Sequence, residues 1–384
     1  MTELLKMLEG WDGYHSLTEM RRPADWDRRL KEATSLLMNE SRMPIHRQQY
    51  LLQESLGTAD FPYLFGEVLD RSVLAGYQAI EPEWKKYMRV DTVNRLYPLV
   101  GAQRFAISNS GMTLDQVPPK GEYNALKKSE VKYDIYAYKF GNQLDIEWEA
   151  IIADSMGALK KTPQEFAWLV ANTEHYHAVN CYANDVGTHA AGNLYQVAAP
   201  ESNAGVLPLT IANLETTVGL MQAFRHPSGQ PMRNRPKYLV VSDGGLEFTA
   251  RQILTSANKQ WLYGGDDEAL YASPMPTTNV IAQYGLQLIV DPWLSIAGTT
   301  GYTKNTWYLF ADPNNIAAVE CDYLAGHEQP EICMKASDKV SLTGGPLSAM
   351  TGDFATDNIL YRVRQCFGAN KLDWRATYIN TVAD

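Results

Sequence analysis

From Tyr136 to Trp148 the chain alternates with a period of two. Tyr136, Tyr138, Phe140, Leu144, Ile146 and Trp148 form one row, and only Asn142 interrupts it. Aromatic and β-branched residues at every second position suit a pleated, half-buried strand. This row predicts a strand running from Lys132 to Trp148, well beyond the usual ~5–6 residues. A helix follows closely. Thr162 can cap it, Pro163 fits a first turn where its missing N–H costs nothing, and Glu165 completes a Thr-x-x-Glu capping box. Phe166, Leu169, Val170, Thr173, Tyr176, His177 and Cys181 then recur at helical spacing. A helix from Pro163 to Asp185 would be roughly 34 Å long at ~1.5 Å per residue. Such a strand feeding such a helix suits an elongated subunit better than a compact catalytic core.

The residues before this strand strengthen that expectation. Tyr97 to Ile107 reads as a strand, but Ser108 to Glu130 is polar and broken by Gly111, Pro118-Pro119 and Gly121. Paired prolines beside glycines prevent regular ladder pairing, and excursions of about twenty residues tend to be functional or disordered. The expected picture is a two-stranded arm standing off the body, with Glu122, Tyr123, Lys127, Lys128 and Lys132 as its candidate contacts with a neighbouring subunit. Charge on such an arm mainly sets register and partner choice.

Elsewhere the signals are more ordinary. Residues 1–60 are polar and helical in character, which fits either an extended arm or a small helical subdomain. Residues 61–74 carry apolar positions at helical spacing. Helices over Thr210–Phe224 and Leu246–Leu254 alternate with apolar runs at Lys237–Ser242, Leu286–Val290, Trp307–Phe310 and Ile316–Val319, which predicts an α/β lobe over about 206–345. Gly264 to Pro276 reads as a surface loop. At the C-terminus, Ile359, Tyr361, Val363 and Phe367 share one face. Gly368-Ala-Asn-Lys371 resembles a turn, and Leu372, Trp374, Ala376 and Tyr378 alternate on the way back, the pattern of a hairpin.

Charge and motif content narrow the function. The net charge of −10 argues against a protein that grips nucleic acid, because that affinity comes from Lys and Arg neutralising phosphates. It is compatible with a container wall against which DNA lies. No run approaches the ~18 apolar residues of a membrane span, and the first ten residues lack the pattern of a secretory signal. Cys181, Cys321, Cys333 and Cys366 have no CxxC spacing and read as reduced thiols. No nucleophile elbow, phosphate loop, dinucleotide fingerprint or HExxH occurs. His177 and Cys181 share a helix face, but His175 points ~200° away from His177, and a zinc site needs three or four converging ligands. Gly244-Gly245, between a strand and a helix, reads as a tight turn rather than an anion site. The expectation is therefore no catalytic residues, no cofactor and no metal site.

The order of parts resembles the major capsid proteins of tailed bacteriophages with the Hong Kong 97-type fold. The resemblance rests on the arm ending in Glu122-Tyr, on Tyr138-Lys-Phe-Gly-Asn-Gln-Leu-Asp-Ile-Glu-Trp-Glu149, on the helix after Gly157-Ala-Leu, and on Tyr361-Arg-Val-Arg and Leu372-Asp-Trp-Arg-Ala-Thr-Tyr378. It covers most of the chain from about residue 58. It implies an α+β fold with an N-terminal arm over 1–60 and a peripheral domain over 61–205. That domain would contain an E-loop at about 105–146 and a spine helix at 162–185. An axial domain would span 206–345, and a C-terminal hairpin over 346–384 would complete the peripheral domain. It further implies a non-enzymatic head subunit forming pentamers and hexamers in an icosahedral shell around double-stranded DNA. Separate scaffolding, portal and decoration proteins would be partners, packaged DNA would be touched weakly and without sequence specificity, and assembly would occur in the host cytoplasm. The rival readings are an encapsulin-like nanocompartment shell on the same fold and, from another class, a metal-dependent hydrolase using His175, His177 and Cys181.

Overall fold

The computed structural model describes residues 74–97, 102–106, 116–123, 131–146, 156–225, 231–262, 274–297, 305–342 and 353–382, apart from a few isolated positions. In chain order the elements are β1 (Arg89–Val93), β2 (Ala102–Ala106), β3 (Val131–Ile135), β4 (Tyr138–Ile146), α1 (Met156–Tyr182), β5 (Val186–Gly187), β6 (Tyr195–Gln196), β7 (Ala204–Gly205) and α2 (Ile211–Gln222). They continue with β8 (Pro236–Val241), α3 (Gly245–Thr255), β9 (Asn258–Leu262), β10 (Pro274–Thr278), α4 (Val280–Tyr284), β11 (Gln287–Val290), β12 (Trp307–Ala311), β13 (Val319–Leu324), β14 (Glu331–Met334), β15 (Ile359–Lys371) and β16 (Thr377–Asn380). Helix and strand are mixed, as an α+β chain requires.

Two compact units share these elements. The larger comprises residues 82–137, 174–324 and 368–384. Its main sheet runs β11-β8-β12-β16-β7. β8 is parallel to β11 and antiparallel to β12, and β12 is antiparallel to β16. The continuous apolar runs of β8 and β12 are buried over both faces, with Leu239, Val240, Val241, Trp307, Tyr308 and Leu309 fully enclosed. This is what unalternating strands of a covered sheet should do. The Thr210 side chain caps α2 by accepting from Asn213 N at 3.2 Å, and Asn279 caps α4 by accepting from Ile281 N at 3.1 Å. Both caps satisfy helix donors that would otherwise lack partners. In the same unit β1 lies parallel to β13, and β2 lies antiparallel to β3.

The other unit contains residues 138–173 and 325–367. Here the first nine residues of β15 pair antiparallel with all of β4, from Ile359 opposite Ile146 to Phe367 opposite Tyr138, and β14 pairs antiparallel with the Tyr361–Arg364 stretch. The helix α1 begins in this unit and ends in the larger one.

Four local expectations are corrected. The long strand is two strands: β3 pairs with β2, β4 pairs with β15, and the change of partner falls at Tyr136–Ala137. The buried residues at the break are accordingly Ile135 and Ala137, while Tyr138, in the aromatic row, is exposed. The helix α1 spans 27 residues from Met156, about 40 Å at ~1.5 Å per residue. Thr162 and Pro163 thus lie inside it, and its C-terminal end falls at Tyr182 rather than Asp185. The C-terminal hairpin does not form. β15 runs straight through Gly368-Ala-Asn-Lys371, and β16 pairs with β12 and β7 instead of turning back on β15. Finally, Pro274 to Pro276 opens β10, whose ladder with β9 forms a separate two-stranded ribbon, a setting that tolerates proline.

Gly368 and Asn370 explain the missing turn. A Cβ at Gly368 would lie 2.9 Å from Ala137 Cα and run into the Tyr136 carbonyl oxygen, so glycine is required by close approach of two backbones. The Asn370 side chain accepts from Tyr136 N at 3.0 Å and donates to Tyr136 O at 3.1 Å. It thereby supplies both hydrogen bonds that Tyr136 loses where the chain changes partners. Asn370 also donates to buried Asp322 Oδ2 at 3.2 Å.

Candidate functional site

The antiparallel pair β2–β3 brackets the polar excursion expected to contact neighbours, with Ala106 opposite Val131 and Ala102 opposite Ile135. Within the excursion Pro118-Pro119-Lys120-Gly121 makes a turn closed by Gly121 N donating to Pro118 O at 2.8 Å, with Lys120 at φ 66°. Glu122 and Tyr123 follow directly and are exposed, Tyr123 to 88%. Lys132 lies in β3 opposite Phe105. Lys127 and Lys128 lie outside the described residues.

The histidines of α1 are used for packing. In the larger unit, His175 Nε2 lies 2.8 Å from Asp291 Oδ2. A carboxylate can only accept, so Nε2 donates. Tyr87 OH donates to the same oxygen at 3.3 Å, and its oxygen lies 2.9 Å from Tyr182 OH. Since the Tyr87 proton is committed to Asp291, Tyr182 is the donor in that second bond. Asp291 Oδ1 accepts from Trp293 N at 3.0 Å. One fully buried carboxylate thus fixes α1, the segment before β1 and the turn after β11. Beside it, Tyr323 OH donates to buried Glu174 Oε2 at 3.0 Å.

His177 turns elsewhere, edge-on to Tyr176 with centroids 5.4 Å apart, and partial burial lowers its pKa. Burial pushes the Cys181 thiol up to about 12, so it packs as a protonated thiol at neutral pH. Among the described residues no group of three or more His, Cys, Asp or Glu is arranged to hold a metal ion, and no helix is long and apolar enough to cross a membrane. The pair of His175 with Asp291, 116 residues away, had no local signal in the sequence.

The tyrosines carry a pH prediction. Burial is the first cause that raises the pKa values of Tyr87, Tyr182 and Tyr195 well above 10, with the Asp291 charge second for Tyr87. Burial also raises Tyr133 to about 12. Above pH 10 the unfolded chain releases these protons before the folded chain does. Stability is therefore fully present below pH ~10 and falls as pH rises through the folded values. Denaturant midpoints should be flat from pH 8 to 10 and drop steeply beyond, in step with phenolate absorbance. A flat midpoint to pH ~12 would contradict the burial.

A family model described as phage capsid protein matches residues 130–380, well over half of the chain. No curated protein sequence matches it. Among solved structures, a protein of Gordonia phage Cozz is similar at 12% identity, covering 77% of this chain and 85% of that one, with a TM-score of 0.44. A phage-related protein of Bordetella bronchiseptica RB50 is similar at 12% identity over 81% and 95%, with a TM-score of 0.44. The holo-SrpI encapsulin complex of Synechococcus elongatus PCC 7942 is similar at 12% identity over 80% and 89%, with a TM-score of 0.42.

Proposed function

The chain belongs to the phage capsid protein family, and from that membership we propose that it is the major head subunit, built on a Hong Kong 97-type plan and closing into pentamers and hexamers of an icosahedral shell around double-stranded DNA. Its family role is structural rather than catalytic, and it is a virion component that works as one of many copies. The family match carries the reading. It runs from the start of β3 through α1, both compact units and β15 to Asn380.

The geometry supports it in physical terms. Ring-closing heterologous contacts, followed by contacts between rings, require each subunit to meet several neighbours. Each specific interface buries ~1,600 Å². Extended elements raise the area available per residue, and both the β2–β3 arm and the 27-residue α1 are of that kind. In this reading β2–β3 and the residues between them are the E-loop. α1 is the spine helix, the β4–β15–β14 unit is peripheral, and the α/β unit is axial. Glu122, Tyr123, Lys127, Lys128 and Lys132 meet a neighbouring subunit. Separate scaffolding, portal and decoration proteins complete the head in the host cytoplasm, and the acidic chain touches packaged DNA weakly.

Electron microscopy and light scattering of the purified protein test this. Shells, tubes or five- and six-membered rings are expected. A strictly monomeric or dimeric species across salt and scaffold conditions would refute it. Deleting Gly111 to Lys128 should leave a folded subunit, by circular dichroism, that fails to build stable shells. Normal shells from the deletion would remove the contact role from the arm.

A further inference from the structure

His189 lies in the larger unit, in the short turn between β5 and β6, with both ring nitrogens against backbone carbonyls. Nδ1 is 3.1 Å from Asn193 O, and Nε2 is 3.1 Å from Glu201 O. A carbonyl oxygen only accepts, so each contact needs a proton on its nitrogen. Neutral imidazole carries one ring proton and imidazolium carries two. Only the charged ring therefore satisfies both contacts at once. The ring also stacks on Trp374, with centroids 4.5 Å apart and planes 16° from parallel, and an indole face attracts a cation.

The two carbonyls belong to segments held in different ways. Asn193 is pinned independently of the ring. Its Nδ2 donates to Asp185 Oδ1 at 3.1 Å, and the next backbone N–H, of Leu194, donates to Asp185 Oδ2 at 2.6 Å. Glu201 lies instead on a loop closed at its base by Gln196 and Asn203. Asn203 N donates to Gln196 O at 3.0 Å, and Gln196 N donates to Asn203 Oδ1 at 2.8 Å. The Asn203 amide also donates to Leu194 O, Trp374 O and Thr377 O. None of these amides titrates, so the base stays closed at any ordinary pH. Beyond it Val197, Ala198 and Ala199 are exposed, and the Glu201 carbonyl is where the ring ties the loop back to the turn. With one ring proton, either Glu201 O loses its donor or the Nδ1 lone pair faces Asn193 O and the ring must turn. Both outcomes loosen the tie.

The charges around the ring are paired. Arg375 lies over the same indole, 4.5 Å from its centroid, and donates to both Asp373 oxygens at 3.2 and 3.4 Å. Asp185 takes Lys371 Nζ at 2.7 Å, and Glu201 is exposed to solvent. We propose that His189 is a proton-operated clasp on the 197–202 loop, closed when the ring is protonated and loosened when it is neutral. This device does not depend on the shell reading.

Hydrogen exchange of the full-length chain tests it. Protection of the 197–202 amides, corrected for the intrinsic pH dependence of exchange, should fall between about pH 5 and pH 8, the range across which histidine ordinarily changes charge. The fall should be roughly threefold or more, as for loss of one hydrogen bond. His189→Gln and His189→Phe should show no such change. Glutamine has no ring proton to lose, and phenylalanine keeps the stacking without either donor. Asp185, Lys371, Asp373, Arg375 and Glu201 remain in both variants, so a pH response that survives there belongs to another group and overturns the clasp. Wild-type protection that is flat or rises with pH overturns it as well. Wild type with isotope-labelled histidine gives a reading that needs no substitution. At about pH 5 one imidazole should show both ring N–H protons protected from solvent, and the absence of such a ring would refute the proposal.

Discussion

Replacing Gly368 with alanine should destabilise the larger unit by about 3 kcal/mol or more, although it adds a single methyl group. Overpacking commonly costs ~1–3 kcal/mol because side chains can shift to absorb it. Here the added carbon meets backbone: the Tyr136 carbonyl oxygen, and Ala137 Cα at 2.9 Å. Relief requires moving β15 away from the β3–β4 junction. That movement would also break the paired Asn370 bonds to Tyr136 N and O, leaving buried backbone groups unsatisfied. For a cooperative unit of 150–250 residues the loss corresponds to a fall of roughly 6–12 °C in melting temperature. Gly219 provides the control. It lies on an exposed face of α2 with nothing within 4 Å of the position its Cβ would take, so Gly219→Ala should stabilise the helix by up to ~1 kcal/mol. The same chemical change is thus expected to have opposite signs at two sites. Equal and small effects by chemical denaturation would show that β15 does not approach Tyr136 as closely as described.

Gly368 also shows what could be read from the residues and what could not. Glycine followed by Ala-Asn-Lys is a fair turn signal when only neighbours are considered, because Gly and Asn tolerate turn conformations. In the fold both residues serve a chain segment 234 positions away. The glycine admits a second backbone, and the asparagine amide replaces a missing ladder partner. Thr162-Pro163 failed for a related reason. Its capping signal is sound locally, but α1 starts about two turns earlier, at Met156, and tertiary context outweighs a local signal of about 1 kcal/mol. Elements whose signals are self-contained were legible: the helix α2, the apolar runs of β8 and β12, and α3 after Gly244-Gly245. The exposure of Glu122 and Tyr123 was legible too, because the Pro-Pro and Gly punctuation beside them is local.

Asp291→Ala should cost about 3–5 kcal/mol, because it strips the acceptor from three buried donors at ~1–3 kcal/mol each. The wild-type carboxylate is fully buried and accepts from three donors, His175 Nε2, Tyr87 OH and Trp293 N. Alanine leaves all three facing a site with no acceptor, and it removes the cap on the short turn Pro292–Ser295. Asp291→Asn is the informative companion. Its side chain keeps the shape and one acceptor oxygen, while its NH₂ would face a donor unless His175 adopts the other tautomer, which accepts through Nε2. A smaller cost, about 1–2 kcal/mol, is expected. Asparagine also removes a charge that helps raise the Tyr87 pKa, so the alkaline loss of stability, which begins near pH ~10 in both chains, should be smaller and level off at a lower pH in Asp291→Asn than in wild type. A variant merely loosened by a packing defect would lose stability evenly across pH. If Asp291→Ala costs under ~1 kcal/mol, or if the asparagine variant keeps the wild-type alkaline profile, the buried carboxylate is not what holds the C-terminal half of α1 to the α/β sheet. In that event the aromatic contacts of Tyr182 with Tyr87, Tyr308 and Phe310 would have to carry that attachment alone.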